Sequence, residues 1–234
     1  MKKVIITGAS SGIGRGLAKK YLELGWMVFA VSRRESPIKH ENFKNVQADL
    51  SDFTNVPGAL FELLGKPEHL DLVVLNAGIL GEIVDMADVD IASMKKTMDI
   101  NLWSNKVILD WLFKHSGVVE QVVAISSGAA VNGNRGWNGY SISKAALNML
   151  VKLYAAENPS THFCSLAPGL VDTAMQDYLC GQKETEKFPS LSKIQSSRGT
   201  KSMPTPEQVS EKLCHVIAEV TSFQSGCFKD IRKM

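Results

Sequence analysis

Short aliphatic runs alternate along this chain with longer stretches whose apolar positions recur every three or four residues. The runs at 3–6, 27–31, 45–48, 70–75, 118–126 and 161–166 read as buried strands, most of them rich in Val, Ile and Leu. Between them, 16–25, 53–64, about 89–114 and about 138–157 read as helices. Ile13, Leu17, Tyr21 and Leu24 fall on one face of the first, which Gly25 stops. Thr205-Pro206-Glu207-Gln208 opens a further helix, with a capping-box pattern and a proline in the first turn. Its core stripe is Val209, Leu213, Val216, Ile217 and Val220, and 226–229 reads as a last strand. Strands alternating with helices predict an α/β fold of the Rossmann type, a doubly wound parallel sheet with helices on both faces. No linker interrupts the alternation, so residues 1–234 are expected to form a single domain.

Composition narrows the class without naming a partner. The chain is 44% hydrophobic and 21% charged, with a net charge of +2, which gives no reason to expect nucleic acid. The four cysteines show no Cys-x-x-Cys spacing, and the histidines are scattered with no metal-ligand spacing. No metal is expected. The apolar run behind Lys2-Lys3 is too short for a signal peptide, and nothing approaches a membrane span. A soluble, cytoplasmic protein with reduced thiols is the expectation.

Two patterns carry chemistry. The first strand runs into Thr7-Gly8-Ala9-Ser10-Ser11-Gly12-Ile13-Gly14, where a helix begins. Glycines at such a turn let the backbone approach a pyrophosphate, and the helix N-terminus stabilises its charge. The second pattern is Tyr140 and Lys144, four apart on a predicted helix, with Ser127 upstream. Side chains at that spacing share a face, so an ammonium beside the phenol is expected to favour the phenolate and lower the tyrosine pKa. A tyrosine tuned this way suits general acid-base catalysis.

With these motifs the sequence resembles the short-chain dehydrogenase/reductase family. Thr7 to Gly14 matches the family's cofactor loop, Asn76-Ala77-Gly78 its motif after the fourth strand, and Ala167-Pro168-Gly169 its motif after the sixth. Asn101, Ser127, Tyr140 and Lys144 match its catalytic tetrad, in family order across almost the whole chain. The resemblance implies hydride transfer from a nicotinamide cofactor to a carbonyl carbon. It assigns Tyr140 to protonate the oxygen, Ser127 to hold it, Lys144 to the nicotinamide ribose and Asn101 to a water behind Lys144. Ser126 is the alternative serine; the family's spacing selects Ser127. Ser141 and Ser143 read as helix surface or packing. Asp49 and Leu50 fall where the family contacts the adenine ring, while the local capping role there falls to Ser51 or Asp52. Val171 belongs to the cofactor segment after Gly169, and Thr173 matches a contact to the nicotinamide carboxamide.

Cofactor choice is read after the second strand, where NAD enzymes place an acid on the ribose 2′-hydroxyl. Here the residues are Ser32-Arg33-Arg34, so NADPH/NADP+ is expected over NADH. Arg33 would pair with the 2′-phosphate, with Ser10, Ser11 and Ser32 as hydroxyl donors. Substrate determinants are expected at Trp137, Met175, Tyr178 and Leu179, under a mobile lid spanning 170–203. The 168–176 segment resembles the sepiapterin reductase and bacterial benzil reductase branch, and Asp230 lies where sepiapterin reductases anchor a pterin. A small-molecule ketone or diketone is the expected substrate, with a pterin ketone as a special case. The competing readings are an NAD-dependent alcohol dehydrogenase and a non-catalytic dinucleotide sensor. Met94, Met98, Leu102, Trp103, Val107, Ile108, Trp111 and Leu112 make 89–114 apolar around much of its circumference. A homodimer or homotetramer is expected, as is common among family relatives.

Overall fold

Seven parallel strands form one sheet in the order β3-β2-β1-β5-β7-β8-β9. The computed structural model describes residues 1–234. In chain order the elements are β1 (Lys3–Thr7), α1 (Gly12–Glu23), β2 (Met27–Ser32), β3 (Phe43–Gln47), α2 (Val56–Leu64), β4 (His69–Leu70) and β5 (Leu72–Leu75). Then come α3 (Ile91–Met98), a π-helical turn (Asp99–Trp103), α4 (Ser104–His115), β6 (Val118–Val119), β7 (Gln121–Ile125) and α5 (Asn138–Glu157). Last are β8 (His162–Ala167), α6 (Ala174–Cys180), α7 (Pro189–Ser197), α8 (Pro206–Glu219) and β9 (Cys227–Asp230).

The central strands read as continuous apolar runs because both faces are covered. Ile6, Val74 and Val123 pack toward α1 and α8, and Ile5, Val73 and Val122 toward α2, α4 and α5. The capping box at α8 is formed: Thr205 Oγ1 accepts from the Gln208 N–H and the Gln208 side chain accepts from the Thr205 N–H.

Two expected strands are each split. The 70–75 run divides at Asp71, whose carboxylate accepts from the Lys3 N–H at 2.7 Å, and 118–126 divides before Gln121. The leading pieces, β4 and β6, pair with each other in a separate two-stranded ribbon. There His69, Asp71 and Glu120 bring a ring nitrogen and two carboxylates within 4.8 Å of one another, a grouping that no sequence spacing reveals. The expected 89–114 helix is also interrupted, by the π-helical turn.

Sheet order reverses between β1 and β5. Ligands of open α/β sheets bind beyond the carboxyl ends of strands at such a switch.

Candidate active site

A cleft of about 390 Å³ opens at that switch point. Its floor is the loop between β1 and α1. Gly8 (φ +73°) and Gly12 (φ +54°) adopt left-handed backbone that side chains disfavour. Gly14 does not reach the cleft and instead closes the turn from behind. A Cβ there would lie 2.4 Å from the Gly8 carbonyl oxygen and 2.5 Å from Asn76 Nδ2. Thr7 and Asn76 lash the loop to the end of β5. The Asn76 and Ala77 N–H groups donate to Thr7 Oγ1 at 2.9 and 3.0 Å, and Asn76 Nδ2 donates to the Thr7 carbonyl at 2.9 Å. The first turn of α1 carries no acidic residue, so its N–H groups face the cleft unopposed by carboxylates. Thr173 sits across from them, with its methyl 3.3 Å from where a Gly12 Cβ would stand.

The end of the cleft beyond β2 is lined by Ser32, Arg33, Arg34, Asp49 and Leu50, with Ser10 and Ser11 opposite. Arg34 spans the opening: its Nη2 donates to Ser11 Oγ at 3.2 Å. The sequence assigned a role to Arg33 alone, and only the folded loop shows that Arg34 faces the serines. Asp49 Oδ1 accepts from both the N–H and Oγ of Ser51, at 2.9 and 2.7 Å. These bonds hold its carboxyl below the usual carboxylate range. In the turn before α2 it is Asp52, one of the two expected capping residues, that accepts from the Asn55 N–H, at 3.3 Å.

At the other end Ser127, Tyr140 and Lys144 meet under Gly78 and Ile79. Tyr140 is buried, and desolvation raises its pKa above the usual phenol value, partly offset by a hydrogen bond with Ser127. The expectation that Lys144 lowers it is not met. Lys144 Nζ lies 5.9 Å from the Tyr140 ring centroid and donates to the Ile125 carbonyl at 2.7 Å. Its own pKa is pulled down to about 8 by burial. Ser126 Oγ turns away and donates to Asn148 Oδ1 at 2.6 Å, which leaves Ser127 as the serine beside the phenol.

Asn101 is fully buried behind this end, in the π-helical turn, and does not line the cleft. Its side chain is saturated: Oδ1 accepts from the Ile79 N–H at 2.8 Å, and Nδ2 donates to the Ile79 carbonyl at 2.8 Å and to Ser143 Oγ at 2.9 Å. Ser143, read from sequence as surface or packing, is instead a buried link that donates onward to the Tyr140 carbonyl at 2.7 Å. A π turn misaligns carbonyls from their usual partners. Here Ser104 Oγ and Asn105 Nδ2 reach back to the carbonyls of Ile100 and Asn101, at 2.7 and 2.9 Å. The polar run Asn101, Ser104, Asn105 inside an apolar helix was the sequence signal for this break.

The family model for short chain dehydrogenases matches residues 2–184. The chain belongs to the short-chain dehydrogenase family. An uncharacterised oxidoreductase of Schizosaccharomyces pombe is 38% identical over 184 residues, 75% of this chain and 73% of that one. A benzil reductase ((S)-benzoin forming) of Bacillus subtilis is 28% identical, covering 100% of this chain and 99% of its own. The sepiapterin reductase of Mus musculus is 32% identical, covering 97% of this chain and 95% of its own. Among solved structures, a short chain dehydrogenase/reductase of Saccharomyces cerevisiae superposes with a TM-score of 0.88 at 22% identity, over 99% of this chain and 96% of that one.

The remaining expected site residues divide in this dehydrogenase. Ala77, Gly78, Pro168, Gly169, Val171, Thr173, Trp137 and Met175 line the cleft with Ile13 and Leu179. Ile79 and Ile100 join them without any local motif having marked them, and Gln176 joins from the 168–176 segment. Tyr178 does not: α6 buries Leu179 and turns Tyr178 outward, 43% exposed. Asp230 is also absent from the lining, and its carboxylate accepts from Arg232 Nε and Nη2 at 2.9 and 2.6 Å. The segment expected as a lid forms α6 and α7, anchored by Leu179, Phe188, Leu191, Ile194 and Met203 in a cluster with Trp137 and Tyr140. Trp137 Nε1 donates to Ser190 Oγ at 2.8 Å, tying α7 to the start of α5. No helix is long and apolar enough to cross a membrane.

Proposed function

We propose that this dehydrogenase is an NADPH-dependent reductase of bulky ketones and 1,2-diketones. The observation that carries this reading is a buried, protonated Tyr140 beside Ser127, at the apolar end of a cleft whose other end presents two arginines and no acid on β2. The residues fit a dinucleotide: Gly8 and Gly12 line the cleft floor in left-handed backbone without side chains, and the α1 N-terminus suits a pyrophosphate. Arg33 and Arg34, with Ser11, would hold a 2′-phosphate, which a carboxylate there would repel. A nicotinamide cofactor held by these residues would supply a hydride to the carbonyl carbon. Tyr140 gives its proton to the oxygen as charge develops, and Ser127 donates a hydrogen bond to that oxygen. An alkoxide is more basic than a phenolate, so a raised Tyr140 pKa still leaves that transfer downhill. The raised value also favours reduction over oxidation, which would need the phenolate. Lys144, held to the β7 carbonyl, would take the nicotinamide ribose hydroxyls.

Benzil and sepiapterin reductases among the relatives support the carbonyl-reductase reading. The Asp230–Arg232 pair favours the diketone over the pterin, because the carboxylate that would anchor a pterin is already neutralised. A homo-oligomer is part of the same proposal, since Trp103 on the π turn and Met149 and Leu153 on α5 leave apolar surface exposed. Light scattering that returns a monomeric mass would remove that part.

The test is oxidation of NADPH and of NADH by the wild type and by Tyr140→Phe, with benzil, other diketones, aldehydes and sepiapterin. Turnover with NADPH that collapses in the variant, while NADPH still binds, is the expected result. Undiminished turnover in Tyr140→Phe would sink the mechanism, and a preference for NADH would sink the account of the arginines.

A further inference from the structure

Outside the cleft, Cys164 and Cys227 sit side by side on β8 and β9 as in-register Cα partners. Adjacent strands lie about 4.8 Å apart, within the roughly 4.4–6.8 Å that disulfide-bonded Cα atoms span. The two Sγ atoms are 3.6 Å apart in a thiol–thiol hydrogen bond, and both side chains face the core between the sheet, α1 and α8. Cys164 is fully buried, whereas Cys227 is half-buried and reachable from solvent. From this juxtaposition we propose that Cys164 and Cys227 form an oxidisable dithiol, which a hydroperoxide converts to an intrachain disulfide.

The two sulfurs have different parts. Cys227 is the accessible attacking thiol: the hydrogen bond it shares with Cys164 Sγ and the nearby Lys229 ammonium favour its thiolate and lower its pKa. Cys164 holds its proton, pushed up by that same hydrogen bond and by burial. Cys214, buried against Tyr21, is pushed up to about 11 and has no second thiol in reach. The Cys227 thiolate attacks the terminal peroxide oxygen, the O–O bond breaks, and the alkoxide leaves as alcohol after taking a proton. Cys164 then attacks the Cys227 sulfenic sulfur, the S–S bond forms, and the hydroxyl departs as water with the Cys164 proton. Two thiols and one hydroperoxide thus give one disulfide, one alcohol (water, when the oxidant is hydrogen peroxide) and one water. The joined strands lead into the cleft wall: β8 into Gly169, and β9 into Arg232, whose Cδ is 3.1 Å from where a Gly169 Cβ would stand.

The experiment treats the folded wild type with hydrogen peroxide, traps it in acid, and maps its peptides by mass spectrometry without reduction. The expected product is one cross-linked peptide pair joining positions 164 and 227, lighter by two hydrogens and restored by dithiothreitol, with Cys180 and Cys214 still free. Cys214→Ser should give the same cross-link at the same rate, and Cys227→Ser none. The wild-type map decides the matter by itself if Cys227→Ser fails to fold. Cys227 passing to sulfinate while Cys164 stays free would overturn the proposal, as would oxidation of Cys180 or Cys214 first.

Discussion

Lys144→Met is expected to separate stability from catalysis in opposite directions. The lysine is 4% exposed, and burial pulls its ammonium from 10.5 down to about 8. At about 1.4 kcal/mol per pH unit, the folded chain carries a charge-burial cost of about 3 kcal/mol at pH 7. The hydrogen bond to the Ile125 carbonyl offsets about 1.5–3 kcal/mol of it, as bonds from charged donors do. Methionine keeps the stem and removes the charge. The variant should therefore match the cofactor-free wild type at pH 7 or exceed it by about 1 kcal/mol, a balance worked from those same two terms.

The pH dependence is the sharper readout. Between about pH 8 and 10.5 the unfolded lysine keeps its proton while the folded one has lost it. The unfolded state then binds more protons, so wild-type stability rises with pH through that window. From pH 7 to 9.5 the rise is about 2 kcal/mol. Tyr140 does not confound it, because burial holds its titration above 10.0. Urea denaturation of both proteins at the two pH values, without cofactor, measures the change in their difference. The wild type should gain on Lys144→Met by that amount, while the variant shows no turnover at either pH. Parallel stability profiles would refute the assignment of a buried ammonium.

Three further outcomes follow from contacts. Gly14→Ala should cost about 1–3 kcal/mol, because its Cβ would meet the Gly8 carbonyl oxygen at 2.4 Å, and it should weaken NADPH and NADH binding alike; thermal melts with and without cofactor check both. Arg33→Glu with Arg34→Glu should raise the KM for NADPH roughly tenfold or more and leave that for NADH nearly unchanged, the loss of one charge-assisted phosphate contact being about 1.5–3 kcal/mol; an equal rise for both cofactors would count against a 2′-phosphate role. Ser143→Ala removes the link from Asn101 to the Tyr140 carbonyl and should cost about 1 kcal/mol in denaturant midpoints while lowering kcat more than it raises KM; an unchanged kcat would reduce Ser143 to packing.

The alternation of strands and helices, the glycine turn at 8–14, the α8 capping box and the Tyr140–Lys144 face were legible in the sequence because each depends on residues within one or two turns of chain. The cleft-lining motifs after β1, β5, β7 and β8 were legible for a related reason, since parallel strands gather their carboxyl ends at one edge whatever the packing details. Other features required atoms brought together from far along the chain. Asp71 reaches the Lys3 N–H to split a strand, Arg232 packs against Gly169, and Asn101 is linked through Ser143 to Tyr140. The electrostatics belong to this second group. Spacing placed Lys144 on the tyrosine's face, but burial raised one pKa and lowered the other, because desolvation depends on everything packed around a charge rather than on its neighbours in sequence.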